Sequence, residues 1–334
     1  MLRSRYIVFF LLLFSFGIGN PLFADAEAED IAKKYYQGVV KVFLYDASLV
    51  KALNLDKDQG YLTRGSGFIV TSDGVLFTNK HVVEWCVDGY MVADWVDEEH
   101  KAHTMDVLTY KKGLESDPKV KKIYFVGHAV PIVQIFRDTT GDDFDLYRAE
   151  VLTIGDNFDG AMLRIVSDID GKPINREFVV LRLGDATKVP MGEDLVIMGF
   201  PAQYENSDLS MDLKDTITLS FGRHSGLDYV FDENPLIKTD ASIHEGNSGG
   251  PVFNTSEQVI GIATAMGIKT QIGLIEQINN MYYIAASYPD ILAVLVKNGL
   301  VVPTGKREIK TLSGRAKPLP KLHFAPLERR RTPS

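Results

Sequence analysis

His244-Glu-Gly-Asn-Ser-Gly-Gly-Pro251 is the stretch whose reading decides the fold. Three glycines surround one serine here. Glycine adopts positive φ at little cost and lets another backbone or a ligand come close. A serine on so tight a turn projects its hydroxyl from a rigid base, and the amides of Gly246 and Ser248 can converge on one point. Acyl transfer needs that pairing of a nucleophile with two donors for the developing oxyanion. A glycine-rich hairpin in which serine serves only turn chemistry has the same pattern. The turn alone leaves both readings open.

Upstream, Gly65-Ser-Gly-Phe-Ile-Val70, Ser72-Asp-Gly74 and Val75-Leu-Phe-Thr-Asn-Lys-His81-Val-Val83 read as strand, turn and strand, with a histidine just past the second strand. Together with the serine turn, these segments resemble the HtrA (Deg-type) branch of the chymotrypsin-fold serine proteases. That family has a GSGF strand, a T-N-x-H-V-V histidine and a G-N-S-G-G nucleophile turn. A third segment, Ala149 to Ile165, resembles its D-x-A-x-L-K-V strand and puts Asp159 on the family's aspartate. Gly160 stands where the family usually has leucine. Asp156, three residues earlier, competes with Asp159, and turn chemistry accounts for it.

The resemblance implies an all-β, chymotrypsin-like double six-stranded antiparallel β-barrel with a C-terminal helix. It implies His81, Asp159 and Ser248 as catalytic residues, in the order of chymotrypsin. Gly246, Asn247 and Ser248 would form the oxyanion hole. Polypeptides would be the substrates, with no cofactor and no metal. Counting back six residues from Ser248, to where trypsin-like enzymes carry an aspartate at the pocket floor, gives the neutral Ser242. The resemblance puts Thr264, Ala265 and Met266 on one pocket wall. A buried Lys or Arg would meet no counter-charge there, so small or medium aliphatic residues are expected before the scissile bond. A latent or chaperone-like binding protein on the same fold is the alternative function.

The 334 residues divide into three parts. Residues 1–26 read as a signal peptide. Arg3 and Arg5 precede an apolar run from Tyr6 to Gly19, short of the ~20 residues of a membrane span, and Ala24-Asp-Ala26 offers a cleavage site. An exported bacterial protein, periplasmic or extracellular, is expected. Residues 27–300 read as the protease domain. Residues 301–334 form a basic, Pro-containing tail with nine Lys or Arg against two Glu, too short for the PDZ domain that usually follows in this family. The tail reads as disordered, with electrostatic contact to anionic surfaces as its functional option. The net charge of −8 speaks against nucleic acid as a partner. Cys86 is the single cysteine, which excludes an intramolecular disulfide.

His81 and Asp159 lie 78 positions apart, more than the family needs, so an insertion is expected at about 88–147. It contains Lys111, Lys112, Lys119, Lys121 and Lys122, and a hairpin from Pro131 to Phe136 and Phe144 to Val151. His100 and His103 with Glu98, Glu99 and Asp106 have the look of a metal cluster, but such groupings are common on solvated faces, and no metal is assigned. Tyr35 and Tyr36 precede the first barrel strand. The family often uses aromatics there to build a homotrimer, and local packing explains them equally well.

Overall fold

Val39-Val-Lys-Val-Phe-Leu-Tyr45 is buried along its whole length, on both faces. Alternate side chains of a strand point to opposite sides. Val40, Val42 and Leu44 therefore enter one apolar cluster, while Phe43 and Tyr45 join Val130 and Ile132 in another. A strand covered on both sides belongs at the centre of an assembly, and this one begins a closed barrel.

The computed structural model describes residues 25–201, 216–231, 234–266 and 272–303. The first part runs α1 (Asp25–Tyr35), β1 (Val39–Tyr45), α2 (Ala47–Leu53), β2 (Tyr61–Ile69), β3 (Val75–Thr78), α3 (Lys80–Val87), β4 (Tyr90–Val96), β5 (Ala102–Thr109), β6 (Val120–Gly127), β7 (Val130–Phe136), β8 (Phe144–Ile154) and β9 (Ala161–Asp168). The second runs β10 (Asp194–Gly199), β11 (Thr218–Phe231), β12 (Asn234–Thr239), β13 (Pro251–Phe253), β14 (Val259–Met266), β15 (Gly273–Gln277), α4 (Met281–Ala285) and α5 (Pro289–Lys297). Two closed six-stranded antiparallel barrels result, ordered β1-β2-β3-β9-β8-β7 and β10-β11-β12-β15-β14-β13. Closure leaves neither barrel with a free edge strand.

A three-stranded sheet, β5-β4-β6, stands outside both barrels. This corrects the extent of the insertion. The hairpin of β7 and β8, expected inside the 88–147 segment, is part of the first barrel, because β7 pairs with β1 from Lys41↔Gln134 to Tyr45↔Val130. What lies outside the barrels is the stretch around β4 to β6. It is rooted by Tyr90, Met91, Val92 and Ala93, all buried, and its far end is largely exposed.

The helices close the ends. Tyr35 of α1 is buried and stacks on Phe253 at 5.4 Å, and the Tyr36 hydroxyl donates to the Arg137 carbonyl at 2.8 Å. Both aromatics are thus engaged within the chain. α5 starts on Pro289 and ends in a Schellman cap, with Leu300 N–H bonded to Leu295 O, Gly299 N–H to Val296 O, and Gly299 at φ 108°. Asn298 then donates to the carbonyls of Val70 and Leu181, tying the helix end to the first barrel and the inter-barrel segment. α5 buries Ile291 and Leu295, while Val296 faces solvent. No helix among the described residues is long and apolar enough to cross a membrane. The expected signal peptide, except for Asp25 and Ala26, and nearly all of the basic tail lie outside the described residues.

Candidate active site

Two consecutive turns build the serine segment. Asn247 N–H bonds to His244 O at 3.0 Å, and Gly250 N–H to Asn247 O at 2.9 Å. Gly246 and Gly249 each take the third position of one turn, at φ 89° and 90°. That position in a type II turn requires positive φ, which is why both residues are glycine. At Gly249 space decides as well: a Cβ would lie 1.9 Å from the Ser66 carbonyl oxygen and 2.3 Å from Thr78 Oγ1.

Ser66, from the GSGF strand β2 of the first barrel, clamps this turn of the second. Its N–H donates to Ser248 O at 2.7 Å, and its hydroxyl donates to Gly246 O at 2.7 Å while accepting Phe200 N–H at 2.9 Å. Thr78 Oγ1 donates to the Ser66 carbonyl at 2.7 Å. Among the described residues, the Gly246 and Ser248 amides have no intramolecular partner. Asn247, expected among the oxyanion donors, departs from that reading. Its amide is held by His244 O, and the residue is 2% exposed, its Oδ1 close to Gly199 at the end of β10.

His81 sits in the first turn of α3. Its Nδ1 is 2.7 Å from Asp159 Oδ2, and its backbone N–H donates to Asp159 Oδ1 at 3.0 Å. A carboxylate only accepts, so Nδ1 carries the proton and Nε2 keeps its lone pair. Burial alone would lower the His81 pKa. The Asp159 hydrogen bond and charge, with Glu84 behind them, outweigh that effect and raise it above the usual histidine value of 6.5. Asp159 stands in the loop between β8 and β9. Asn79 Nδ2 donates to its carbonyl at 2.7 Å and to Thr264 Oγ1 at 3.0 Å. Asp156 is exposed. Gly160 is glycine for a local reason: a Cβ would lie 2.7 Å from both Met281 Sδ and Phe158 Cε2.

The Ser248 hydroxyl donates to the Thr264 carbonyl at 3.0 Å, and among the described residues it makes no bond to His81. Thr264, expected as a pocket wall, has its hydroxyl tied to Asn79 and Ile262 O and so braces the Asp159 loop. Ser242 is exposed. Ala265 and Met266 lie on β14, their side chains outside the description. His103 is engaged with Asp97 at 2.9 Å and stacked on Trp95 at 4.5 Å, and no group of metal-ligating residues occurs among the described residues. Cys86 is a free thiol whose pKa burial pushes upward, away from thiolate chemistry. The residues that sequence reading passed over are Asn79, Glu276 and the clamping role of Ser66. Asn79 and Ser66 stood inside quoted motifs, but nothing local revealed their partners.

The trypsin-like peptidase domain model matches residues 65–262, more than half of the chain. The chain belongs to that family. Its similar curated proteins are named probable periplasmic serine endoproteases, DegP-like. The one from Pseudomonas putida (strain W619) is 26% identical over 208 residues, covering 62% of this chain and 30% of that protein. The one from Brucella suis biovar 1 (strain 1330) is 29% identical over 205 residues, covering 61% of this chain and 28% of that protein. The matches thus span less than a third of the relatives' length. Among solved structures, the crystal structure of Deg5 is similar with a TM-score of 0.48 and 19% identity, covering 77% of this chain and 90% of that one.

Proposed function

We propose that the chain is a serine endopeptidase of HtrA type acting on unfolded or exported polypeptides, with His81, Asp159 and Ser248 as its triad. The single observation that carries this reading is the His81–Asp159 pair, with Nε2 left free to accept a proton, on a fold whose glycine-lined serine turn is clamped from the other barrel. Ser248 Oγ swings from the Thr264 carbonyl toward Nε2 and attacks the scissile carbonyl carbon as His81 takes its proton. The imidazolium returns that proton to the leaving amine, and Asp159 stabilises the cation throughout. The amides of Gly246 and Ser248 receive the oxyanion. Neutral Ser242 and Thr264 support a loose preference for aliphatic residues before the scissile bond. Periplasmic or extracellular placement follows from the N-terminal segment and from the relatives' names. Homotrimer assembly and contact of the tail with anionic surfaces are further parts of this reading.

A second reading is latency, and the Ser248–Thr264 hydrogen bond favours it. Apo serine sites often have loose nucleophile–base contacts that tighten with substrate. A fluorophosphonate probe on purified protein, with and without a peptide substrate, tests both. Labelling at Ser248 without peptide is the expected result. Labelling only with peptide identifies a latent protease. Silence in both refutes catalysis by this site.

A further inference from the structure

Glu276 is a buried carboxylate that no motif announces. It lies on β15 of the second barrel and is 2% exposed. Its Oε2 accepts the backbone N–H of Asp159 at 3.3 Å, and its Oε1 accepts Asn280 Nδ2 at 2.6 Å. The Gln277 backbone N–H adds a third donor. Its cross-strand partner on β14 is Ile262, and on β12 Ile237 faces its neighbour Ile275, so neither flanking strand presents it with a charge there. The charged group that acts on it is Asp159, whose carboxylate is itself bonded to His81. Carboxylates are rarely buried without a cation. Here three donors stand in for one, and all three favour the ionised form.

We propose that Glu276 is a positioning residue for the Asp159–His81 pair: it ties the Asp159 loop to the second barrel through the Asp159 amide, and its charge stabilises the imidazolium that forms when Ser248 gives up its proton. The inference rests on the catalytic reading above. Asn79 holds the carbonyl of Asp159 and Glu276 its amide, so the loop is gripped at both polar groups of one residue. Burial and the charge of Asp159 push Glu276 up to about 7 against those donors, and on this proposal the titration of His81 responds to it through Asp159.

Glu276→Gln keeps the shape and an acceptor oxygen but removes the charge, whereas Glu276→Ala removes the tie as well. With less negative charge near Asp159, His81 binds its proton less tightly. The acid midpoint of kcat/KM should therefore move down by about half a unit in E276Q. Plateau kcat should fall several-fold with KM unchanged, and E276A should lose more. A midpoint that stays or rises in folded variants, checked by circular dichroism and melting, overturns the proposal, because a merely structural strut would leave the pH profile in place. Should neither variant fold, the wild-type protein decides: with 15N-labelled histidine, the His81 ring should titrate in two coupled steps between pH 5 and 9, and a single step overturns the inference. Wild-type protein that neither hydrolyses peptide nor labels at Ser248 refutes the catalytic reading instead. Active wild type with unmoved variants refutes Glu276 alone.

Discussion

Ser66 makes three hydrogen bonds to the nucleophile turn and to the strand end beside it, and Thr78 locks Ser66 in turn. The β4–β6 sheet is held differently. It meets α3 through Trp85 Nε1, which donates to Thr109 Oγ1 at 2.9 Å, and through Thr109, which donates to Glu84 at 3.0 Å. Its root is anchored by Tyr90, whose hydroxyl reaches Asp46 at 2.8 Å. On its surface Met105, Ile123 and Val126 are exposed. One region is cross-linked so densely that a methyl group has nowhere to go. The other is a cantilever whose far end few atoms depend on. The difference teaches where this molecule needs rigidity: at the junction of the barrels, where the proposed nucleophile Ser248 must keep its distance from the proposed base His81 of the other barrel.

Four measurements break or sharpen that contrast. Ser248→Ala should lower peptide hydrolysis at least about 1,000-fold with little change in melting temperature, since one hydroxyl leaves a supported turn. Substantial residual turnover would mean that the rigid region is not the working one. Gly249→Ala should cost about 3–5 kcal/mol in urea denaturation, because it forces an L side chain to φ 90° and into the Ser66 carbonyl. Wild-type stability would show that the clamp is loose.

The pH profile is a milder probe. His81 must be neutral to act as base, and its pKa is raised by Asp159 and Glu84. The acid limb of kcat/KM on an uncharged peptide should therefore have its midpoint above the ~6.5 of free histidine. A midpoint well below that value would mean that the Asp159 contact does not persist in solution. The smallest effect belongs to the sheet. Val126→Ser, on an exposed position of β6, should change stability by no more than about 0.5 kcal/mol and leave kcat/KM alone. A loss of activity there would make the cantilever part of the site.

The uneven legibility of the sequence follows the same division. The turn was readable because its glycines answer local demands of φ, and local demands leave a mark in neighbouring residues. The insertion is shorter than the expected 88–147, because an apolar hairpin has the same pattern inside a barrel or beyond it. Only pairing of β7 with β1, some ninety residues earlier, closes the barrel and claims that hairpin. Asn247, expected to help the oxyanion donors, has its amide held by His244 O and is buried, and that burial depends on contacts that no spacing encodes.

By itself the sequence determined the family and the strand pattern and put forward His81, Asp159 and Ser248 as the triad proposed above, because those rest on residue type and short-range spacing. Tertiary structure alone decided that Ser66 clamps the turn, that Asn79 and Glu276 grip Asp159 from opposite barrels, and that the Ser248 hydroxyl rests on Thr264. Each of those contacts joins residues that are remote in the chain or set by how two barrels meet. A hydrogen bond of that kind depends on where two surfaces pack, and nothing in the sequence near either partner has to record it.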